Sequence, residues 1–145
     1  MKTKNQITFF LMILLFIGVS CNSSRTSTAN IRPITTTTLT YDEIASDPFG
    51  IDTVYMQKKT MIVAINYGGG CGTCEAALYY NGIAALSMPP QLSMKLAFID
   101  NDKCRATIRD TLYFDMSEIE PIAHNGAIIR LQNYDHAIKY NIPTP

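Results

Sequence analysis

The chain has 145 residues with 12 basic and 12 acidic side chains, so its formal net charge is zero. This length fits one domain at most. The sequence has no stripe of Lys and Arg, which excludes nucleic acid as an expected partner, because binding a phosphate backbone requires clustered positive charge.

The first 20 residues have the pattern of an export signal. Lys2 and Lys4 precede an apolar run over residues 7–19, and a basic start, an apolar centre and small residues at the cleavage site define such signals. Gly18-Val19-Ser20-Cys21 resembles a bacterial lipobox, which implies cleavage before Cys21 and a diacylglyceryl group on its thiol. We therefore expect a lipid-anchored protein of the cell envelope, on the periplasmic side of a membrane or at the outer surface.

Residues 21–40 are rich in Ser and Thr and hold few large apolar side chains. This composition predicts a flexible tether between the lipid and the domain at residues 41–145. The threonines at 35–38 also suit an extended strand, but the composition of the whole segment favours a tether.

Apolar and polar residues alternate with period two from residue 53 onward, which predicts strands with one buried and one exposed face. The clearest such segments are residues 53–57, 60–67, 92–99, 105–115, 127–132 and 136–140. Lys58-Lys59 is predicted to form the turn between the first two, and Asn133-Tyr134-Asp135 the turn between the last two.

Residues 76–88 fit either a helix or a hairpin. Asn81-Gly82 lies between two apolar runs, which is a strong hairpin signal, and a glycine inside a helix costs about 1 kcal/mol. We therefore expect two strands here. The sequence as a whole predicts an all-β domain, an antiparallel β-sandwich of about seven strands.

Three cysteines follow Cys21, and outside the cytoplasm cysteines tend to form disulfides. A Cys71–Cys104 bond would close a loop of about 33 residues and stabilise the fold by about 3–4 kcal/mol. The spacing equally allows Cys74–Cys104, whereas Cys71–Cys74 would close a very small loop. The cysteine left over would be buried or a free thiol.

Cys71-Gly72-Thr73-Cys74 also resembles the dithiol motif of thioredoxin-like proteins, because it follows an apolar strand. The resemblance implies a thiol–disulfide oxidoreductase with Cys71 as nucleophile, at a helix N-terminus that lowers its pKa, and Cys74 as resolving thiol. The early breaks at Asn81-Gly82 and Pro89-Pro90 disagree with the long helix that this fold requires after the motif. The three glycines before Cys71 also replace its usual aromatic pair.

Metal binding is a third interpretation, with Cys71, Cys74, Cys104 and His124 as zinc ligands. An oxidising compartment competes for these thiols, so we expect neither a metal nor another cofactor. The sequence favours a binding or structural role over catalysis, with an envelope protein or a small ligand as the partner.

Four short strings together resemble a group of small uncharacterised lipoproteins and secreted proteins of Bacteroidota-type bacteria. They are Tyr67-Gly68-Gly69-Gly70-Cys71, Ser87-Met88-Pro89-Pro90-Gln91, Asn101-Asp102-Lys103-Cys104 and Thr111-Leu112-Tyr113-Phe114-Asp115-Met116-Ser117. The resemblance implies a β-rich exported domain in which Cys71 pairs with Cys104. Cys74 stands where that group has a histidine, so the pairing that the resemblance implies makes Cys74 a candidate free thiol, and it also makes Cys74 available as a new disulfide partner.

Overall fold

The computed structural model describes residues 30–141, and these residues form nine strands with two short 3-10 turns at Tyr41–Glu43 and Ser117–Ile119. The strands are β1 (Ile31–Pro33), β2 (Thr35–Thr36), β3 (Gly50–Gln57), β4 (Thr60–Gly69), β5 (Cys74–Ala85), β6 (Gln91–Asp100), β7 (Ala106–Asp115), β8 (Ala127–Leu131) and β9 (Ile138–Tyr140). None of the helices within residues 30–141 is long and apolar enough to cross a membrane.

The strands form two sheets, one in the order β1-β7-β4-β3 and one in the order β2-β5-β6-β8-β9. The prediction of an all-β fold is confirmed, but the prediction of purely antiparallel sheets is wrong. Three neighbouring pairs, β1/β7, β2/β5 and β6/β8, are parallel. Parallel partners require long crossover connections rather than tight turns, so the local hairpin signals in the sequence do not report them.

The core lies between the two sheets and is built from side chains at alternating strand positions. In β4, Met61, Val63 and Ile65 are fully buried. Opposite them, β6 contributes Leu92, Met94, Leu96 and Phe98, all at most 1% exposed. The period-two pattern therefore predicted the inward faces of both strands correctly, and the burial of these apolar side chains is the main favourable term in folding.

The strand register defines two ends of the sandwich. At the disulfide end, Cys74 of β5 lies opposite Asp100 of β6, and β4 ends at Gly69 opposite Ala106 of β7. At the opposite end, which we call the apolar end, Ala85 of β5 lies opposite Gln91 of β6. The connection at residues 86–90 and the turn at residues 58–59 belong to this second end.

Two predicted hairpin turns are confirmed. Lys58, between β3 and β4, has φ of 55°, and Asn133, between β8 and β9, has φ of 62°. Such positive values reverse the chain tightly, so the sequence predicted both connections from their residue types.

The hairpin predicted at Asn81-Gly82 is wrong, because β5 continues through these residues. The pairing of β5 with β6 shifts register between Tyr80 and Ala84, and Gly82 has φ of +74°. The same conformational freedom that allows glycine to make a turn here makes a β-bulge instead. Leu78 and Tyr80 before the bulge are buried, and Ala84 after it packs against the core, so the strand keeps its inward face.

The tether prediction does not hold for residues 31–36, which form β1 and β2. The chain pairs first with β7 of one sheet and then with β5 of the other. Ile34, at the crossing point between the sheets, is only 5% exposed. One buried apolar side chain and two short runs of backbone hydrogen bonds thus order a segment whose composition is typical of a linker, and the sandwich begins at Ile31 rather than at residue 41.

Candidate functional site

The disulfide end brings together most of the residues that the sequence singled out. Cys71 follows β4, Cys104 precedes β7, and the two are joined by a disulfide with their Cα atoms 5.9 Å apart. Of the pairings that spacing left open, the structure therefore contains Cys71–Cys104. Because both connections cross between the sheets, this bond ties two crossovers at one end of the sandwich.

The Asp102 carboxylate holds the glycine-rich loop in place. Its Oδ2 accepts hydrogen bonds from the backbone N–H groups of Gly70 and Cys71, the latter at 2.8 Å, and its Oδ1 accepts one from Cys104 N–H at 2.8 Å. Hydrogen bonds from Cys104, Gly72, Cys71 and Gly70 favour the ionised form and lower the pKa of Asp102 to about 2. The carboxylate thus joins both ends of the disulfide through backbone contacts.

Gly72 permits this arrangement through its missing side chain. A Cβ atom there would lie 2.9 Å from Asp102 Cα and 3.0 Å from the Asn101 carbonyl oxygen. These are backbone atoms that cannot move aside independently of the loop. The close approach of the two connections therefore requires glycine at position 72.

Among residues 30–141, Cys74 is the one free cysteine. Its Sγ lies 3.4 Å from the hydroxyl oxygen of Tyr67, with which it is hydrogen-bonded. The Tyr67 ring packs against Phe98, with ring centroids 4.6 Å apart. The hydrogen bond with Cys74, burial and the nearby negative charges of Asp110 and Asp100 raise the pKa of Tyr67 to about 12.

This geometry differs from what a thioredoxin-like dithiol requires. Cys71 is bonded to Cys104 rather than paired with Cys74, and the residues after Cys74 form strand β5 rather than a helix. In thioredoxin-like proteins the dithiol lies at the N-terminus of a helix. The helix on which that interpretation depends does not occur at this point of the described chain.

The four predicted zinc ligands are not brought together. The described cluster of ligand atoms consists of Cys71, Asp102 and Cys104, all within 4.8 Å of one another. Its two sulfurs are bonded to each other, whereas zinc binds thiolates. His124 lies elsewhere, on a groove at the apolar end.

That groove has a volume of about 570 Å³. Its walls are formed mainly by the residues after the β5 bulge and by the segment before β8. The lining residues are Ala84, Ala85, Leu86, Ser87, Met88, Pro89, Pro90, Ile122, His124 and Asn125. A second groove of about 370 Å³ lies on the outer face of the five-stranded sheet, between β5 and the segment that contains Leu39 and Ile44. Both are open surfaces that could accept a partner.

Within residues 100–104, Asp102 N–H donates a hydrogen bond to Asp100 Oδ1, and the Asp102 carboxylate accepts one from Cys104 N–H. Sequence reasoning identified the cysteines and the string Asn101-Asp102-Lys103-Cys104 that contains this residue. It missed the contacts of Asp102 with Gly70 and Cys71, which lie about 30 positions away in the chain. The sequence feature that could have indicated these contacts is the Asp-x-Cys spacing of Asp102 and Cys104, which places a carboxylate next to a disulfide-bonded cysteine. The exposed apolar residues at the other end, Leu86 and Met88, had no signal beyond their proximity to Pro89-Pro90.

Comparison with known proteins finds a similar fold but no family. A solved structure titled a protein of unknown function DUF1344, from Bacteroides vulgatus ATCC 8482, aligns with a TM-score of 0.50 at 13% identity, over 72% of this chain and 52% of that one. The chain thus spans about half the length of that protein, and at this identity the likeness shows the fold alone. No family model matches the chain, and no curated protein matches it in sequence. That neighbour is itself described as a protein of unknown function.

Proposed function

We propose that this protein is an exported lipoprotein, held to a membrane of the cell envelope by lipid on Cys21, whose β-sandwich has a binding or structural role. The observation that carries the proposal is the Cys71–Cys104 disulfide, because structural disulfides persist in oxidising compartments outside the cytoplasm. The export pattern over residues 1–20 supports the same compartment. Cys21 itself lies outside the described residues.

The use of the polar groups at the disulfide end supports the proposal of a binding or structural role rather than a catalytic one. The Asp102 carboxylate accepts backbone N–H groups from both disulfide-bearing connections, so its oxygens are committed to the loop. The hydroxyl of Tyr67, whose pKa is about 12, stays protonated at neutral pH and cannot act as a general base for the neighbouring Cys74 thiol. These contacts hold the two disulfide-bearing connections together, which is the use expected of a structural end of the domain.

The anchor is tested by expressing the full chain in a Gram-negative host and analysing the protein from the membrane fraction by mass spectrometry. We expect an N-terminal peptide that begins at Cys21 and carries a diacylglyceryl group. The Cys21→Ser variant should lack this modification and leave the membrane fraction or keep residues 1–20. A wild-type protein that is released without lipid, or that has an unmodified Cys21 thiol, would overturn the proposal.

A further inference from the structure

Strand β7 has a free edge over most of its length. On one side, its whole length from Ala106 to Asp115 pairs with β4. On the other side, β1 pairs only with the last three residues of β7. Within residues 30–141, no other strand and no backbone hydrogen bond from a loop reaches residues 106–112 on this side. This stretch, which we call the free edge, therefore presents unpaired backbone groups that are a template for a further strand.

The sandwich is open along the free edge. The chain crosses between the two sheets on this side at Ile34, which is buried, and β2 then pairs with only two residues of β5. Asp110 has the same strand parity as the buried Leu112 and Phe114, so it lies on the inward face of β7. It is nevertheless exposed. Nothing in residues 30–141 therefore covers this half of the lateral side as β1 and β2 cover the other half.

We infer that residues 24–29 continue β1 as a parallel strand along the free edge. β1 runs parallel to β7, with Ile31 opposite Tyr113, so the chain before Ile31 leads toward Ala106. In the same register, residues 24–30 lie opposite residues 106–112. The chain between Cys21 and β1 thus matches the free edge in both direction and length.

The composition of this segment is compatible with an edge strand. Residues 22–30 contain no proline, so every residue has a backbone N–H group for the ladder. Thr26 and Thr28 favour an extended backbone. The register places Thr28 opposite Asp110, where its hydroxyl group can donate a hydrogen bond to the exposed carboxylate. The same Ser and Thr content that is typical of a linker therefore also suits a strand with solvent beside it.

The charges on the free edge favour this segment over a second copy of the chain. A two-fold antiparallel pairing of two copies centred on the free edge sets Arg109 opposite Arg109 or Asp110 opposite Asp110. Like charges directly opposite each other destabilise a strand pair, and an inward-pointing charge on an edge strand disfavours edge-to-edge association. The intramolecular register instead places the uncharged Ser27 and Thr28 opposite these two residues.

The pairing also determines which end of the sandwich lies nearest to the lipid, a consequence that rests on the proposed anchor at Cys21. With Ser24 opposite Ala106, three peptide steps separate Cys21 from the disulfide end. Three steps span at most about 11 Å, whereas the free edge itself is about 20 Å long. In this arrangement the disulfide end faces the bilayer and the apolar end points away from it.

Disulfide cross-linking in the exported full-length protein tests the register. All variants carry Cys74→Ser, which removes the competing thiol. Thr28→Cys/Asp110→Cys places two cysteines opposite each other on strands about 4.8 Å apart, a separation that a disulfide spans. The matched control is Ser27→Cys/Asp110→Cys, because position 27 is equally close along the chain but points to the other face of the strand.

We expect mass spectrometry of the unreduced protein to find a linked peptide that joins positions 28 and 110, with a yield about tenfold higher than that of the control pair. Equal yields would overturn the inference, because an unpaired segment has no preference for one face. A covalent dimer that joins position 110 of two copies would also overturn it and identify a second copy as the occupant.

Hydrogen exchange of the full-length protein provides a second readout that needs no added cysteine. Thr26→Pro/Ser27→Pro removes two successive N–H groups, one of which points toward β7. Thr26→Ala/Ser27→Ala keeps both and is the control. Amides of residues 106–112 should exchange about tenfold faster in the proline variant than in the alanine variant, because the free edge loses its partner. Equal exchange in the two variants would overturn the inference.

The mass of the Cys21 peptide in the same preparations reports the anchor separately. A cross-link specific to position 28 in a protein without lipid would support the pairing and overturn only the anchor. Lipidated protein with equal cross-link yields would overturn the pairing and leave the anchor standing.

Discussion

Removal of the Cys71–Cys104 disulfide should destabilise the sandwich by an amount that follows from the length of chain it closes. The two cysteines are 33 residues apart. In the chain-entropy model, a loop of this length contributes about 4 kcal/mol by restricting the unfolded state. For a domain of this size, such a loss lowers the melting temperature by roughly 10–20 °C. We therefore expect the Cys71→Ser/Cys104→Ser double variant to fold, but with a much lower midpoint.

The assay is thermal and urea unfolding followed by circular dichroism on the chain without residues 1–21. Cys74→Ser is the matched control, because it removes a sulfur from the same end and leaves the disulfide intact. It should cost only about 1 kcal/mol, the typical net value of one hydrogen bond. A reducing agent should lower the midpoint of the wild-type protein and leave that of the double variant unchanged.

The reasoning is refuted if the double variant loses less than about 1 kcal/mol, since loop closure would then contribute little. An equally large loss in Cys74→Ser would refute it in a different way. That result would mean that Cys74, and not Cys71, is bonded to Cys104 in solution.

Three further predictions concern the loop, the bulge and the thiol chemistry. The pKa of Asp102 is lowered to about 2, so its stabilising contribution is present above pH 4 and is lost as the pH falls toward 2. The difference in urea midpoint between wild-type protein and Asp102→Asn should therefore shrink over that pH range. A difference that stays constant would contradict this. Gly82→Ala forces a side chain into φ of +74° with no neighbour within 4 Å, so it should cost about 1 kcal/mol from backbone strain alone. Gly68→Ala, at a site equally open but without positive φ, should be close to neutral in the same unfolding assay. In an insulin-reduction assay with dithiothreitol, the wild-type protein should give no more turnover than Cys71→Ser, and catalysis that depends on Cys71 would establish the oxidoreductase alternative.

Much of the fold could be predicted because its strands bury one face. In β4 and β6, apolar side chains occupy every second position on the inward side without a break. The turns at Lys58 and Asn133 have the positive φ values that reverse the chain. Local chemistry and global topology agree at these points, which is the condition under which a sequence pattern is informative.

The failures have a common physical origin, which is that the deciding interactions are distant in the chain. β1 and β2 are ordered by the burial of Ile34 and by pairing with strands that lie some 40 or more positions later in the chain. Nothing in the neighbouring Ser/Thr-rich sequence indicates these contacts. Asn81-Gly82 has the residues of a turn, but pairing with β6 on both sides of the bulge keeps β5 extended. Tertiary pairing overrides local preference in both cases.

The candidate site, like the fold, has features that the sequence predicts and features that depend on distant contacts. The cysteines were found from the sequence, and the hydrogen bond from Cys104 N–H to Asp102 is local, because Asp favours hydrogen bonds to backbone groups two residues on. Two sets of contacts depend on which loops meet at the disulfide end. They are the hydrogen bonds from Gly70 and Cys71 to the Asp102 carboxylate and the contact of Cys74 with Tyr67. That juxtaposition becomes visible only when the sheets are assembled.

The central claim is that Cys71 is bonded to Cys104 in an oxidising compartment, and disulfide mapping of the protein from the cell envelope tests it most directly. The protein is alkylated without reduction, digested and analysed by mass spectrometry. We predict one linked peptide pair that joins Cys71 to Cys104 and one alkylated thiol, at Cys74. A Cys71–Cys74 bond, or alkylation of all three cysteines, would contradict the account.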